Sequence, residues 1–212
     1  LGVGMQGLVF QVGQLVGGLG GQAFVVLALF AQHPHLVEGV TLNNLLTTEP
    51  KPRNAALADA MKRIGIVERS GRGVDTIYRG LLRFGRPLPD YSKTDSHSVV
   101  LRLPTHDADL NFVKLVVEEE NHRQHALPID SLIALATLRE VKRLTADELA
   151  ERIQRDTIAA KRTLEALTEA GLVQAHGVTR GRSYTLAASM YQGKGDKAAY
   201  TRQAGFSAIQ HE

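Results

Sequence analysis

LPIDSLIALATLREVKRLTADELAERIQRDTIAAKRTLEALTEAGLVQAHGVTRGRSYTL, residues 127–186, holds the strongest local signals in the chain. Its first third predicts a helix with Leu132, Leu135 and Leu138 inward, because residues three apart share a helix face. Thr145 and Glu148 then have the spacing of a capping box, in which hydroxyl and carboxylate satisfy each other's orphan backbone donors. They open a short helix that buries Leu149 and Ile153. A turn over Gln154 to Asp156 leads to a third helix, with Asp156 as its N-cap. Ala160, Leu164, Leu167 and Gly171 recur at helical spacing and mark that helix's packed face. Two short β-like stretches follow, around a tip containing Gly and Arg.

Helix, helix, turn, helix and hairpin is the winged helix-turn-helix order. This stretch resembles the winged-helix family of bacterial regulators, and the Glu169-Ala170-Gly171-Leu172-Val173 that ends the third helix is typical of it. With Ala160 and Leu164 inward, Thr157, Ile158, Lys161 and Arg162 face outward on the N-terminal half of that helix. In helix-turn-helix proteins that half enters the major groove, where Arg and Lys can pair with guanine edges. Arg180 and Arg182 at the hairpin tip are placed for phosphates or the minor groove, and Arg152 and Arg155 flank the turn. From Pro128 to Ala188 there are nine Lys or Arg against eight Asp or Glu, so charge alone does not select a nucleic acid. A wing that docks another protein is the alternative.

Upstream, Pro50 and Pro52 hold TTEPKPRN extended. EGVTLNNLLT reads as a turn and a short helix. Asn54 can cap a helix carrying Leu57, Met61 and Ile64, which Gly65 closes. After SGRG, a helix with Val74, Ile77, Tyr78 and Leu81 on one face runs to Gly85. HSVVLRLP predicts a strand stopped by Pro104, and DADLNFVKLVVEEE a helix ending in the exposed stretch EEENHRQH. The fold class read here is α+β, a partial ATPase-like α+β segment followed by a winged helix-turn-helix domain.

Arg53-Asn54 before a helix, IGIVERSGRGVDTIY and the later PLPDY carry a second likeness. Together they make the chain resemble, from about Val37 to Phe206, a bacterial family of RecG-like ATP-dependent DNA helicases, also described as ATP-binding transcriptional regulators. Members join a Schlafen-AlbA-type domain to an ATPase-like segment and winged helices, so this chain reads as a fragment of such a protein. The resemblance implies a DNA-binding transcriptional regulator with double-stranded DNA as partner, a homodimer on paired half-sites, and a cytoplasmic location. It also implies ATP with Mg²⁺ as cofactor, with Ser70, Gly71, Arg72 and Gly73 binding nucleotide. Glycines there let backbone amides approach a phosphate at a helix N-terminus. An ATP-binding module without a motor is therefore an alternative reading. The family's earlier acidic helix and Pro-Gly turn are replaced by VVLALFAQHPHLVEGV, which has no acid before Glu38 to hold an adenine and no Pro-Gly turn. No G-x-x-x-x-G-K-[ST] loop is present, and no catalytic residue is assigned.

Composition narrows the classes further. The 212 residues include no Cys and no Trp, which removes disulfides and thiolate metal sites. Aromatic residues at 5% argue against a stacking platform for single strands. No metal site is expected either, since His33/His35 and His122/His125 lack an H-E-x-x-H helix. No charged residue precedes Glu38. The window Leu8 to Phe30 is long enough for a membrane span. It contains Gln11, Gln14, Gln22 and five glycines without flanking Lys or Arg, so no membrane association is expected. Phe24 to Phe30 reads instead as one buried strand, and the glycine-rich stretch before it as loop or poorly ordered chain. The organisation is thus an uncharged Gly-rich segment (1–36), the RecG C-terminal-like segment (37–104), a connecting helix (105–127), the winged helix (128–190) and a linker (191–212).

Overall fold

The uninterrupted run FVVLALF forms a strand over the residues predicted for it, Phe24–Phe30. The computed structural model describes the backbone of 9–15 and 24–30, and residues 36, 38–49, 52, 54–65, 73–95, 98–104, 108–178 and 181–187. The chain divides into two units, one of residues 1–81 and 86–107, the other of 82–85 and 108–212.

In the first unit, β1 (Val9–Leu15), β2 (Phe24–Phe30) and β3 (Val100–Pro104) form an antiparallel sheet in that order. β1 corrects the expected loop. Pairing runs without a bulge from Val9↔Phe30 to Leu15↔Phe24, so Val, Phe and Leu outweigh the single Gly13 once β2 supplies a ladder. The helix expected after Glu38 is also absent. Asn44 Oδ1 accepts from Thr41 N at 2.7 Å and Asn44 Nδ2 donates to Gly39 O at 3.0 Å. Its carbonyl accepts from Thr48 N at 2.9 Å, so local Asn bonds hold a series of turns in place of helix.

Asn54 caps α1 (Ala55–Arg63), its Oδ1 accepting from Leu57 N at 2.9 Å. Gly65 follows at φ +76°, the left-handed position that glycine adopts at little cost. No residue of α1 is buried. α2 (Gly73–Arg83) buries Tyr78 and Leu81 in this unit. Burial and the neighbouring Tyr78 push the Tyr91 hydroxyl up to about 12. Asp90 and Arg102 exchange both backbone hydrogen bonds, at 3.0 and 2.8 Å, which covers part of the β3 edge.

The second unit contains α3 (Leu110–Arg123), α4 (Ile129–Val141), β4 (Leu144–Thr145), α5 (Ala146–Ile153), α6 (Thr157–Glu169), β5 (Val173–His176) and β6 (Ser183–Leu186). The strands are antiparallel in the order β4-β6-β5. α4 is apolar nearly all round, and residues 131 to 138 are all buried, as expected of a central helix. Leu149 and Ile153 of α5, Ala160, Leu164 and Leu167 of α6, and Leu172 complete the core at zero exposure. Both sides of the Thr145–Glu148 capping box form, and Asp156 accepts from Ala159 N at 2.7 Å. The two bonds from Thr145 hold the Glu148 carboxyl below its ordinary range. Gly171 is a correction: it is exposed at φ +73° and ends α6 instead of packing.

α3 departs most from expectation. In the stretch read as exposed, Glu118, Asn121, His122, Gln124 and His125 are exposed, but Glu119 and Glu120 are buried, at 7% and 8% exposure. Glu119 pairs with Arg123, one helical turn on. Glu120 reaches Arg83 at 2.6 Å and accepts from Leu127 N at 3.0 Å. With Phe112, Leu115 and Val116 also buried, α3 is built into this unit.

Candidate functional site

Burying Ala160, Leu164 and Leu167 at i, i+4, i+7 leaves the opposite side of α6 to solvent. Ile158 is 62% exposed, and Lys161 and Arg162 are exposed beside it. No acidic residue occupies the first turn of α6. Neither cation is in an ion pair among the described residues. The N-terminal half of this face is therefore basic and open around Ile158, whereas Glu165 and Glu169 are exposed farther along the helix.

The other expected contacts differ in how committed they are. Thr157 is half-buried, and its hydroxyl donates to Asp147 Oδ1 at 2.9 Å, tying the start of α6 to α5. Arg155 Nε lies 2.9 Å from Asp130 Oδ2, so its charge is already balanced by α4. Arg182 is exposed, with its guanidinium 5.4 Å from the centroid of the Tyr184 ring. Arg180 lies outside the described residues.

Two cations unremarked in sequence are held by long-range bonds. Arg139 Nη1 donates to Gly85 O at 2.9 Å, and its guanidinium stands 4.5 Å over the Phe112 ring. Arg143 Nε donates to Ser183 Oγ at 2.7 Å. Only the period of the short strand hinted at the second, since Arg143 and Thr145 fall on one face.

For the nucleotide site, Ser70, Gly71 and Arg72 lie outside the described residues. Gly73 opens α2 and is exposed. A Cβ built there meets nothing within 4 Å, so close packing does not explain this glycine. The described part of the site is thus one helix N-terminus without a cradle around it, and no step is derived through a nucleotide. Among the described residues no group of three or more His, Asp or Glu could hold a metal ion. No described helix is long and apolar enough to cross a membrane.

Comparison with known proteins bears on the first unit. Residues 33–102 match the family described as "Putative ATP-dependent DNA helicase recG C-terminal". This supports a RecG-like, ATPase-like segment there, over about a third of the chain. No curated protein matches the chain significantly. Among solved structures, the DIP2311 protein from Corynebacterium diphtheriae is similar over 79% of this chain, with a TM-score of 0.62 and 24% identity. The match covers 34% of that protein, so the chain spans about a third of its length. At this identity the likeness is one of fold alone.

Proposed function

We propose that residues 128–190 form a winged helix-turn-helix that contacts double-stranded DNA, and that the chain is part of a RecG-like, ATP-binding type of transcriptional regulator. The observation that carries this reading is the pair Lys161 and Arg162. They are exposed and outside any described ion pair, on the N-terminal half of a helix that follows a three-residue turn. A helix so presented can lie in a major groove with its cations toward phosphates and guanine edges. A hairpin whose second strand starts beside the exposed Arg182 follows it, as a wing would. Arg155 contributes less in this reading, because contacting phosphate means leaving Asp130.

The test is fluorescence anisotropy of a labelled random-sequence duplex at about 50 and about 200 mM salt, where counterion release makes phosphate binding steeply salt-dependent. Wild type should bind and weaken with salt. A Lys161→Ala/Arg162→Ala variant should bind about tenfold more weakly at the lower salt. Absence of binding at both concentrations would sink the reading and leave the wing as a protein-docking module.

The match of residues 33–102 favours a second, compatible activity, ATP binding at Ser70–Gly73. Millimolar ATP with Mg²⁺ should then raise the melting temperature, since a ligand that binds only the native state stabilises it. Gly73→Val should abolish the rise. Because a side chain at Gly73 meets no neighbour, that variant should melt like wild type without nucleotide. No shift in the wild type would exclude the activity for this chain.

A further inference from the structure

The small sheet of the second unit has one apolar and one polar face. Leu144, Val173, Tyr184 and Leu186 are at most 3% exposed, and the register pairs Leu144 with Tyr184 and Val173 with Leu186. Alternation places Thr145, Gln174, His176, Ser183 and Thr185 on the opposite face, with Arg143 continuing it beyond β4. None of the three strands contains Asp or Glu. The adjacent carboxylate, Glu148, is engaged by the backbone N–H and the hydroxyl of Thr145. His176 Nε2 shares a 2.9 Å hydrogen bond with Thr185 Oγ1.

Arg143 is the permanent cation of this face. It is exposed, and no bond besides that to Ser183 is found for it among the described residues. Ser183, 4% exposed, takes the Nε. The two Nη groups remain, and a guanidinium held at one nitrogen is pre-oriented for an oxyanion. Partial burial, reinforced by the Arg143 charge, holds the His176 ring below its ordinary pKa. The ring is therefore neutral at neutral pH, and the positive charge of the face rests on Arg143.

We propose that Arg143, braced by Ser183, is a backbone-phosphate contact for duplex DNA, made from the sheet and separate from the α6 face. This rests on the DNA-binding reading above and extends it to a third element. An open strand face suits a phosphodiester that is already held elsewhere along the duplex, whereas free phosphate would need enclosing donors. Such a contact positions the protein and carries no base preference.

The test is the same random duplex at about 50 and about 200 mM salt, with Arg143→Gln and Arg143→Lys. Gln keeps a donor for Ser183 while losing the charge, and a melting curve checks the fold. One phosphate contact contributes about 0.9 to the slope of log affinity against log salt, so the affinity ratio between the two salts should shrink about 3.5-fold in Arg143→Gln. Arg143→Lys should retain the wild-type slope. A folded Arg143→Gln with the wild-type slope, beside a reduced slope in Lys161→Ala/Arg162→Ala, would overturn this contact and leave the general reading standing. No binding by wild type would overturn both.

Discussion

Gly85→Ala is expected to destabilise the second unit by about 3 kcal/mol, enough to lower its melting temperature by roughly 10 °C. Two costs combine. Gly85 sits at φ +66°, where an L side chain costs about 1–2 kcal/mol. A Cβ would also lie 2.5 Å from Asp109 O and 2.9 Å from Asp109 N, which are backbone atoms and cannot rotate away. Relief requires moving the segment that binds Gly85 O, which accepts from Asp109 N at 3.1 Å and Arg139 Nη1 at 2.9 Å. Those bonds join the turn after α2 to the N-cap of α3 and to Arg139 in the last turn of α4, so the strain spreads into the core. Gly171→Ala separates the two costs. Its φ is +73° but a Cβ meets nothing within 4 Å, so about 1 kcal/mol is expected there. Thermal or urea melts of the two variants provide the check. Equal losses would show that the contact with Asp109 is not kept in solution.

What sequence could reveal divides by the range of the interaction. The caps at Asn54, Thr145 and Asp156 were readable because each joins residues three apart. The open side of α6 was readable for the same reason. Once Ala160, Leu164 and Leu167 are assigned inward, helix geometry leaves Ile158, Lys161 and Arg162 outside. Missed features pair residues far apart. β4 is only two residues long and exists by pairing with β6, some forty positions later. The ion pair of Arg155 is not legible locally, because its partner Asp130 lies on another helix. Nothing local marks Arg143, whose partner Ser183 lies forty residues on. Within EEENHRQH most side chains are exposed as the polar pattern implies, and the buried Glu120 departs from it because its partners lie outside the run. Arg83, which meets Glu120, is 37 residues away.

Glu120 carries the second large effect. Glu120→Ala is expected to cost about 2–3 kcal/mol, because a buried carboxylate that serves two donors cannot be removed without desolvation loss. Its Oε1 is an acceptor for Leu127 N at 3.0 Å, on the way into α4, and Oε2 meets Arg83 at 2.6 Å. The two bonds do not count equally. Arg83's side chain is 49% exposed and can turn to water, so its share is discounted to below about 1 kcal/mol. The Leu127 amide belongs to a residue of zero exposure, where water cannot easily substitute. Glu120→Gln therefore separates them. It keeps a carbonyl oxygen for Leu127 and loses the charge that faces Arg83, so it should recover more than half of the loss. Arg83→Met alone should cost less than Glu120→Ala, and adding it to Glu120→Gln should cost little more. Should Glu120→Gln instead prove as unstable as Glu120→Ala, the ion pair with Arg83 would be the dominant bond, and the second unit would rely on α2's last turn far more than on the α3–α4 link.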